Sequence, residues 1–267
     1  MGEFSRWLIE RSGYERAGYA DEYDRFRPAP PADLIAVVAA LAGTDRPRLV
    51  VDIGCGTGLS TRAWAERSDE IIGVEANASM IARARRSPAA ANVRYVQAVA
   101  GRVGLADGSA DVVTCAQSFH WMDPRDVLPE AARILRPGGV FAAYDYDPLP
   151  VIAPEVDEAF EDVLRARGEA RRRLNMVAGA ATWPKDEHLR RIQESGLFRT
   201  VREVTCHARA ETDPERVVGL ASSLGGPVSL FDAAPEVATA LARLREVAER
   251  VRPRVLFLSY RVRVGVR

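Results

Sequence analysis

Residues 51–58 read VDIGCGTG, and their first residue, Val51, ends the apolar run LVV of residues 49–51. Three glycines in eight residues at the end of an apolar run indicate a strand that ends in a turn. A ligand can approach the backbone of such a turn closely, because glycine has no Cβ to block it. The pyrophosphate of a dinucleotide and a nucleoside without phosphate both suit this turn, and the choice between them decides the class of enzyme.

The glycine-rich stretch belongs to a regular alternation of short apolar runs and amphipathic stretches. The apolar runs are LVVDI, IIGV, DVVTCA and VFAAYD, and the stretches between them include LSTRAWAER, ASMIARARR and RDVLPEAARIL. Continuous apolar runs between helical patterns are typical of parallel strands that helices cover on both faces. The sequence predicts a doubly wound α/β core. Its ligand lies outside the carboxyl ends of the strands, near Asp52, Glu75, residues 116–118 and residues 144–147.

The pattern changes after Asp147. Residues 154–173 and 235–251 each place apolar side chains on one helical face, which predicts two helices beyond the core. Residues 256–266 alternate strictly, with apolar side chains on one face and Arg261 and Arg263 on the other. This alternation predicts a half-exposed edge or antiparallel strand. Residues 200–209 are a plausible partner for it.

Composition limits the partners of this chain of 267 residues, which is long enough for one large core with a subdomain. Lys and Arg equal Asp and Glu at 37 each, so no net field attracts nucleic acid or an anionic membrane. The sequence has no stretch of about 18 uncharged apolar residues, so it predicts no membrane span. The three cysteines have no CxxC spacing, which argues against disulfides and a thiolate zinc site. We therefore expect a cytoplasmic protein without a metal.

Three observations favour a nucleoside without phosphate at the glycines. A dinucleotide fingerprint is G-x-G-x-x-G/A, but its third position here is Leu59 or Thr61. Asp52 directly precedes the turn, where a carboxylate repels a pyrophosphate and attracts a cationic group. Glu75 lies 23 residues after Asp52, close to the spacing of about 20 for a carboxylate that binds ribose hydroxyls.

These residues resemble the class I S-adenosylmethionine-dependent methyltransferases with a type-11 methyltransferase domain. The resemblance covers residues 48–145 and lies in VDIGCGTG, GVEANASMI, DGSADVV, QSFHWMD and ILRPGGVFA. The leading YADEYDRFRPAPPADL and the HW pair are similar to a smaller branch that includes trans-aconitate methyltransferase-like proteins.

The resemblance implies a Rossmann-like methyltransferase fold with a mostly parallel seven-stranded sheet, an antiparallel last strand and added C-terminal helices. It also implies three regions. Residues 1–30 form an N-terminal lid segment, residues 31–147 the S-adenosylmethionine-binding core, and residues 148–267 the remaining core strands with inserted substrate-cap helices. The added helices either cap the acceptor site or form the interface of a homodimer.

The resemblance also assigns residues to the methyl donor. The loop with Gly54, Gly56 and Gly58 passes under the methionine part, Asp52 lies near its ammonium group, and Glu75 accepts both ribose hydroxyls. The adenine is flanked by Ala76, Asn77 and Met80, and the donor site also includes Val99, Ala100, Gln117 and Arg27. Related sequences have a carboxylate for the adenine amino group where this chain has Val99, so we expect weaker or altered adenine recognition.

Residues near the transferred methyl group are candidates for the acceptor site. His120 follows the fourth strand of the resemblance, where it either acts as a general base, hydrogen-bonds a substrate oxygen, or is a structural histidine. Trp121 is expected to pack against a ligand. Tyr19 and Tyr23 either close over the ligands with Arg27 or pack a lid helix without ligand contact.

The predicted function is S-adenosylmethionine-dependent methyl transfer to a small molecule. The acceptor is a carboxylate or hydroxyl oxygen, with carbon and nitrogen as further alternatives. A carboxylate needs no base, whereas a hydroxyl gives His120 a role. Two other classes stay open, a non-catalytic S-adenosylmethionine-binding regulatory protein and an NAD(P)-dependent oxidoreductase.

Overall fold

The computed structural model describes residues 18–174, 182–224 and 234–267. They contain one seven-stranded sheet in the order β3-β2-β1-β4-β5-β7-β6. The strands are β1 Leu49–Ile53, β2 Glu70–Glu75, β3 Val93–Gln97, β4 Ala110–Ala116, β5 Leu135–Tyr146, β6 Thr200–Glu211 and β7 Val255–Val266. Neighbouring strands are parallel from β3 to β5, and β7 is antiparallel to both β5 and β6. The prediction of a doubly wound, mostly parallel sheet with an antiparallel last strand is confirmed.

The helices within the described ranges are α1 Tyr19–Phe26, α2 Ala32–Leu41, α3 Leu59–Trp64, α4 Ala78–Arg86, α5 Pro124–Ile134, α6 Pro154–Arg173, α7 His188–Glu194, α8 Pro214–Ser223 and α9 Pro235–Val251. Short 3-10 turns cover Ala65–Arg67, Phe119–Trp121 and Lys185–Glu187. Side chains alternate across a sheet, so adjacent residues of one strand belong to the two different hydrophobic cores on its two faces. Val50 packs with α2, α6, α8 and α9, whereas Val51 packs with α5 and α7.

The two predicted helices beyond the core have the expected bounds as α6 and α9, and both pack on the same face of the sheet. Residues 200–209 pair with β7, as predicted, from Thr200 opposite Val266 to Arg209 opposite Phe257. None of the described helices is both long and apolar enough to cross a membrane.

The prediction of a half-exposed last strand is wrong at Arg263. β7 lies between β5 and β6, so the edge strand is β6. Arg263 is only 3% exposed. Its guanidinium donates to Asp145 at 3.1 Å and to Glu203 at 2.7 Å, and this pairing makes the burial of its charge tolerable. Alternation predicts which face a side chain takes but not what covers that face.

Candidate functional site

A cavity of about 480 Å³ opens at the carboxyl ends of β1, β2, β4 and β5. Its volume lies within the range of small-molecule sites. Most of the predicted site residues line it, namely Tyr23, Arg27, Gly54, Gly56, Glu75, Ala76, Asn77, Met80, Val99, Ala100, Gln117 and Trp121. Asp52, Gly58 and His120 are not among the described lining residues. Tyr19 begins α1, and its side chain lies outside the described part of the chain.

The three glycines of the loop serve different purposes, although all have positive φ angles. A Cβ on Gly54 would meet Ser118 Cβ at 2.7 Å, and a Cβ on Gly58 would overlap the Tyr95 ring. Only at Gly56 is the nearest atom at an ordinary contact distance, Met80 Cε at 3.8 Å. Close packing by the protein itself therefore explains Gly54 and Gly58, and Gly56 is the one that borders open space.

The Gly58→Ala variant is expected to unfold more easily than Gly43→Ala. Both glycines have left-handed backbone, with φ of 83° and 76°, but Gly43 has no atom within 4 Å of a built Cβ. Gly43→Ala should cost about 1 kcal/mol from backbone strain, and the overlap with Tyr95 should add about 1 to 3 kcal/mol at Gly58. Urea unfolding of both variants measures the difference, and equal destabilisation would show that Tyr95 does not require this glycine.

Glu75 is held in a fixed orientation at the end of β2. Its Oε2 accepts the Gly56 N–H at 2.9 Å, and its Oε1 accepts the Asn77 N–H at 2.8 Å. Burial raises the pKa of Glu75, and these backbone hydrogen bonds oppose the rise. A carboxylate oxygen can accept more than one hydrogen bond, so both oxygens can still accept from a vicinal diol.

Asn77 also has a structural role. Its Oδ1 accepts the N–H groups of Ser79 and Met80 at 2.9 and 3.1 Å, which caps α4. The cap begins the helix directly beside Glu75 and places Met80 against the cavity.

Asp52 lies behind the loop and is fully buried. Its two oxygens accept the hydroxyls of Thr61 and Thr114, each at 2.8 Å, so it joins α3 to β4. Burial raises the pKa of Asp52 to about 6. The structure places this carboxylate near the loop without bringing it to the cavity surface.

The buried Asp52 predicts a loss of stability as the pH rises. Its folded pKa of about 6 exceeds the ordinary 3.8, so between these values the native state binds more protons than the unfolded state. The free energy of unfolding should therefore fall from pH 4 to pH 7 by about 2 to 3 kcal/mol relative to an Asp52→Asn variant. Urea unfolding at several pH values measures this, with the exposed Asp69→Asn as the control. Parallel curves for wild type and Asp52→Asn would contradict it.

His120 lies in the 3-10 turn after β4, beside Trp121 at a ring distance of 5.2 Å. Its Nδ1 is buried 3.7 Å from Asp145 Oδ1 and has no hydrogen-bond partner among the described residues. Burial, and next the charge of Lys185, lower the pKa of His120 to about 3. At neutral pH the imidazole is therefore uncharged.

Helix α1, in the described part of the N-terminal segment, contributes Tyr23 to the cavity lining. The Asp24 carboxylate accepts hydrogen bonds from Arg62 at 2.6 Å and from Arg83 at 2.8 Å, and these bonds fix α1 to α3 and α4. Arg27 then lies 4.9 Å from the Tyr23 ring centre, contacts the Tyr146 hydroxyl and donates to the Ser223 carbonyl at 2.7 Å. Tyr23 and Arg27 both line the cavity, and the lid role of this segment stays a prediction.

Several lining residues were not predicted from the sequence, notably Tyr260, Ser60, Asp123 and Asp126, whereas Tyr144 and Tyr146 lie within the predicted residues 144–147. Tyr144 and Tyr146 follow from the rule for strand ends, because both lie at the end of β5. Tyr260 had no such signal, since only the pairing of β7 with β5 brings it opposite Tyr146. Asp126 lies against Gly101, because a Cβ built on Gly101 would be 3.0 Å from Asp126 Cβ. The Asp126 carboxylate is therefore beside the loop that contains Val99.

Comparison with known proteins agrees with this geometry. The family model Methyltransf_11, described as a methyltransferase domain, matches residues 51–143. The uncharacterized methyltransferase Rv3342 of Mycobacterium tuberculosis is 36% identical over 117 residues, which are 44% of this chain and 46% of that protein. The chain thus matches about half the length of this relative. A malonyl-[acyl-carrier protein] O-methyltransferase of Pectobacterium atrosepticum is 29% identical over 74% of this chain and 76% of its own.

A solved structure from Anaeromyxobacter dehalogenans, described as a type II methyltransferase, has a TM-score of 0.58 and 26% identity. The likeness covers 90% of this chain and 98% of that one. The match of the family model confirms the predicted type-11 domain, and the narrower trans-aconitate branch stays a prediction. Residues 51–143 therefore match the Methyltransf_11 methyltransferase domain, and the chain has a Rossmann-like methyltransferase fold.

Proposed function

We propose that the protein transfers a methyl group from S-adenosylmethionine to an oxygen of a small molecule. The observation that carries the proposal is Glu75, a fixed carboxylate at the end of β2 inside a cavity that Gly56 leaves open. A vicinal diol of a ribose without phosphate complements the two oxygens of this carboxylate. The family match supports methyl transfer as the reaction.

The lining residues fit the parts of the donor. Glu75 would hold the ribose, Ala76 and Met80 would flank the adenine, and the N–H of Ala100 would meet an adenine nitrogen. Asp126 is the proposed carboxylate for the adenine amino group, in place of the one that Val99 replaces. Arg27 would hold the donor carboxylate, and Gln117 would also contact the donor. Asp52 would act on the ammonium group through its charge, from behind the loop.

The chain contributes binding and alignment to the proposed reaction. When bound, S-adenosylmethionine supplies a methyl group that its sulfonium already activates. The protein must exclude water and align the acceptor with that methyl group. Tyr23, Tyr146, Tyr260 and Trp121 line the cavity with aromatic surface, which suits both tasks. His120 would contribute as an uncharged imidazole that hydrogen-bonds an acceptor oxygen.

The relatives support oxygen as the acceptor atom, because one of them is named as an O-methyltransferase acting on a malonyl group. The helices α6 and α9 are still proposed as a cap or as a homodimer interface. Among the described residues, neither helix lines the cavity. The three-region division and the cytoplasmic location stay predictions.

A transfer assay with methyl-labelled S-adenosylmethionine tests the proposal. The panel contains small carboxylic acids, phenols and alcohols, together with amines and carbon acids. Label in an ester or ether of an oxygen acceptor is the expected result. Label only in amine or carbon products would contradict the proposal that oxygen is the acceptor atom. No transfer despite donor binding would favour the non-catalytic regulatory protein.

A further inference from the structure

Beside the cavity lies a cluster of ionisable side chains in which Asp145 and Arg263 are buried and His120 is largely buried, whereas Lys185 and Glu203 are partly exposed. Asp145 is at its centre, at the end of β5, and is 5% exposed. Its Oδ2 accepts from Arg263 at 3.1 Å, and Arg263 donates in turn to Glu203 at 2.7 Å. Asp145 Oδ1 lies 2.8 Å from Lys185 Nζ. The two carboxylates therefore balance the two cations within the cluster.

Lys185 joins this cluster to the cavity through Gln117. Its Nζ donates to Gln117 Oε1 at 2.8 Å, and Gln117 lines the cavity. Because an ammonium group can only donate, the amide oxygen of Gln117 must face Lys185 and the amide nitrogen must face away. That nitrogen is buried and has no hydrogen-bond partner among the described residues. Lys185 thus orients Gln117 so that its amide nitrogen is a hydrogen-bond donor with no acceptor among the described residues.

The backbone at Gln117 supports a functional reason for this arrangement. Its φ is 51°, in the left-handed region that residues other than glycine rarely adopt. Such a conformation is strained for a residue other than glycine, so the surrounding structure must hold it. The Gln117 N–H donates to the Tyr144 carbonyl at 2.9 Å, and Lys185 holds the other end of the residue.

Lys185 and His120 compete for one oxygen atom. His120 Nδ1 lies 3.7 Å from the same Asp145 Oδ1 that Lys185 approaches to 2.8 Å. The nearer ammonium group neutralises the carboxylate, so little negative charge is left to stabilise an imidazolium. The other ionisable groups that act on His120 are His188 on α7 and Arg27 after α1.

We propose that Lys185 is a positioning residue that holds Gln117 as a hydrogen-bond donor towards the ligand and, together with burial, disfavours the charged form of His120. Only the use of these two groups by the methyl donor and acceptor rests on the proposed function. Gln117 would donate to the bound methyl donor, and His120 would contact an acceptor oxygen without bringing a competing positive charge. Lys185 lies outside residues 51–143, which the family model matches.

The test is a side-chain nitrogen NMR titration of the full chain, without donor or acceptor, from pH 3.5 to 8. The chain has three histidines, and a His120→Gln variant assigns the signal of interest. In the wild type His120 should stay neutral over nearly all of this range. In Lys185→Met and Lys185→Gln its midpoint should rise by about 1 to 3 pH units, because Asp145 Oδ1 then faces the imidazole without an ammonium group beside it, while Arg263 still pairs with Oδ2.

Two controls separate this effect from general disturbance. Lys185→Arg keeps the charge and should leave the His120 midpoint at its wild-type value. Arg190→Met removes an exposed cation that pairs only with Glu187 and Glu194 among the described residues, and it should also change nothing. An unchanged midpoint in a folded Lys185→Met or Lys185→Gln variant would overturn the proposal. So would an equal rise in Arg190→Met, and neither result depends on whether the protein transfers methyl groups.

Discussion

The Glu75→Ala variant is expected to bind S-adenosylhomocysteine about a hundredfold to ten thousandfold more weakly than the wild type. The substitution removes an acceptor for two hydroxyls, and a hydrogen bond to a charged group contributes about 1.5 to 3 kcal/mol. Two such bonds amount to about 3 to 6 kcal/mol, and each 1.4 kcal/mol changes the affinity tenfold. Titration calorimetry measures the dissociation constants directly.

Glu75 also holds the Gly56 and Asn77 N–H groups, so the loss of affinity must be separated from loosening of the loop. An analogue without the ribose 2′-hydroxyl makes this separation, because Glu75→Ala should weaken its binding less than that of the full ligand. Glu70→Ala is the matched control, since Glu70 begins the same strand and pairs with Arg94 on the surface. Wild-type affinity in Glu75→Ala would refute the assignment of the ribose.

The Arg27→Met variant is expected to bind S-adenosylhomocysteine about tenfold to two-hundredfold more weakly. Arg27 is the guanidinium on the tyrosine side of the cavity, next to Tyr23 and Tyr146. A charged hydrogen bond from it to the ligand carboxylate contributes about 1.5 to 3 kcal/mol. Calorimetry with 5′-methylthioadenosine, which has no carboxylate, should give nearly the same affinity for wild type and variant.

The comparison of the two ligands separates a specific contact with the carboxylate from a general change in the shape of the cavity. Arg27 also contacts Tyr146 and the Ser223 carbonyl, so its loss could widen the cavity for any ligand. Equal weakening of both ligands would therefore contradict a specific contact with the carboxylate. Arg25→Met, two residues earlier and paired with Glu215 at the surface, should bind both ligands like the wild type.

The parallel core could be predicted from the sequence because local patterns determine it. Continuous apolar runs indicated β1, β2, β4 and β5, and the strand-end rule then placed Glu75 and Gln117 at one edge of the sheet. Glycine chemistry indicated the turn. It did not reveal that side chains fill the space at Gly54 and Gly58, because Tyr95 and Ser118 approach from distant parts of the chain.

The rest of the site depends on contacts between segments that are far apart in sequence. Asp52 adjoins the glycine loop in sequence, yet Thr114 and Thr61 enclose it and the cavity does not reach it. His120 was predicted as a general base, a hydrogen-bonding group or a structural histidine. The pKa of about 3 that results from burial and Lys185 makes it a weak base, which disfavours only the first of these roles. Lys185 itself gave no signal, because only the fold brings it to Asp145.

Calorimetric titration of the wild-type protein with S-adenosylmethionine, S-adenosylhomocysteine and NADH tests the central claim most directly. The cavity with Gly56 and Glu75 predicts binding of the first two ligands, one per chain, and no binding of NADH. Binding of NADH alone would contradict the account, because the glycine loop would then hold a pyrophosphate. Binding of none of the three would contradict the proposal that this cavity holds the methyl donor.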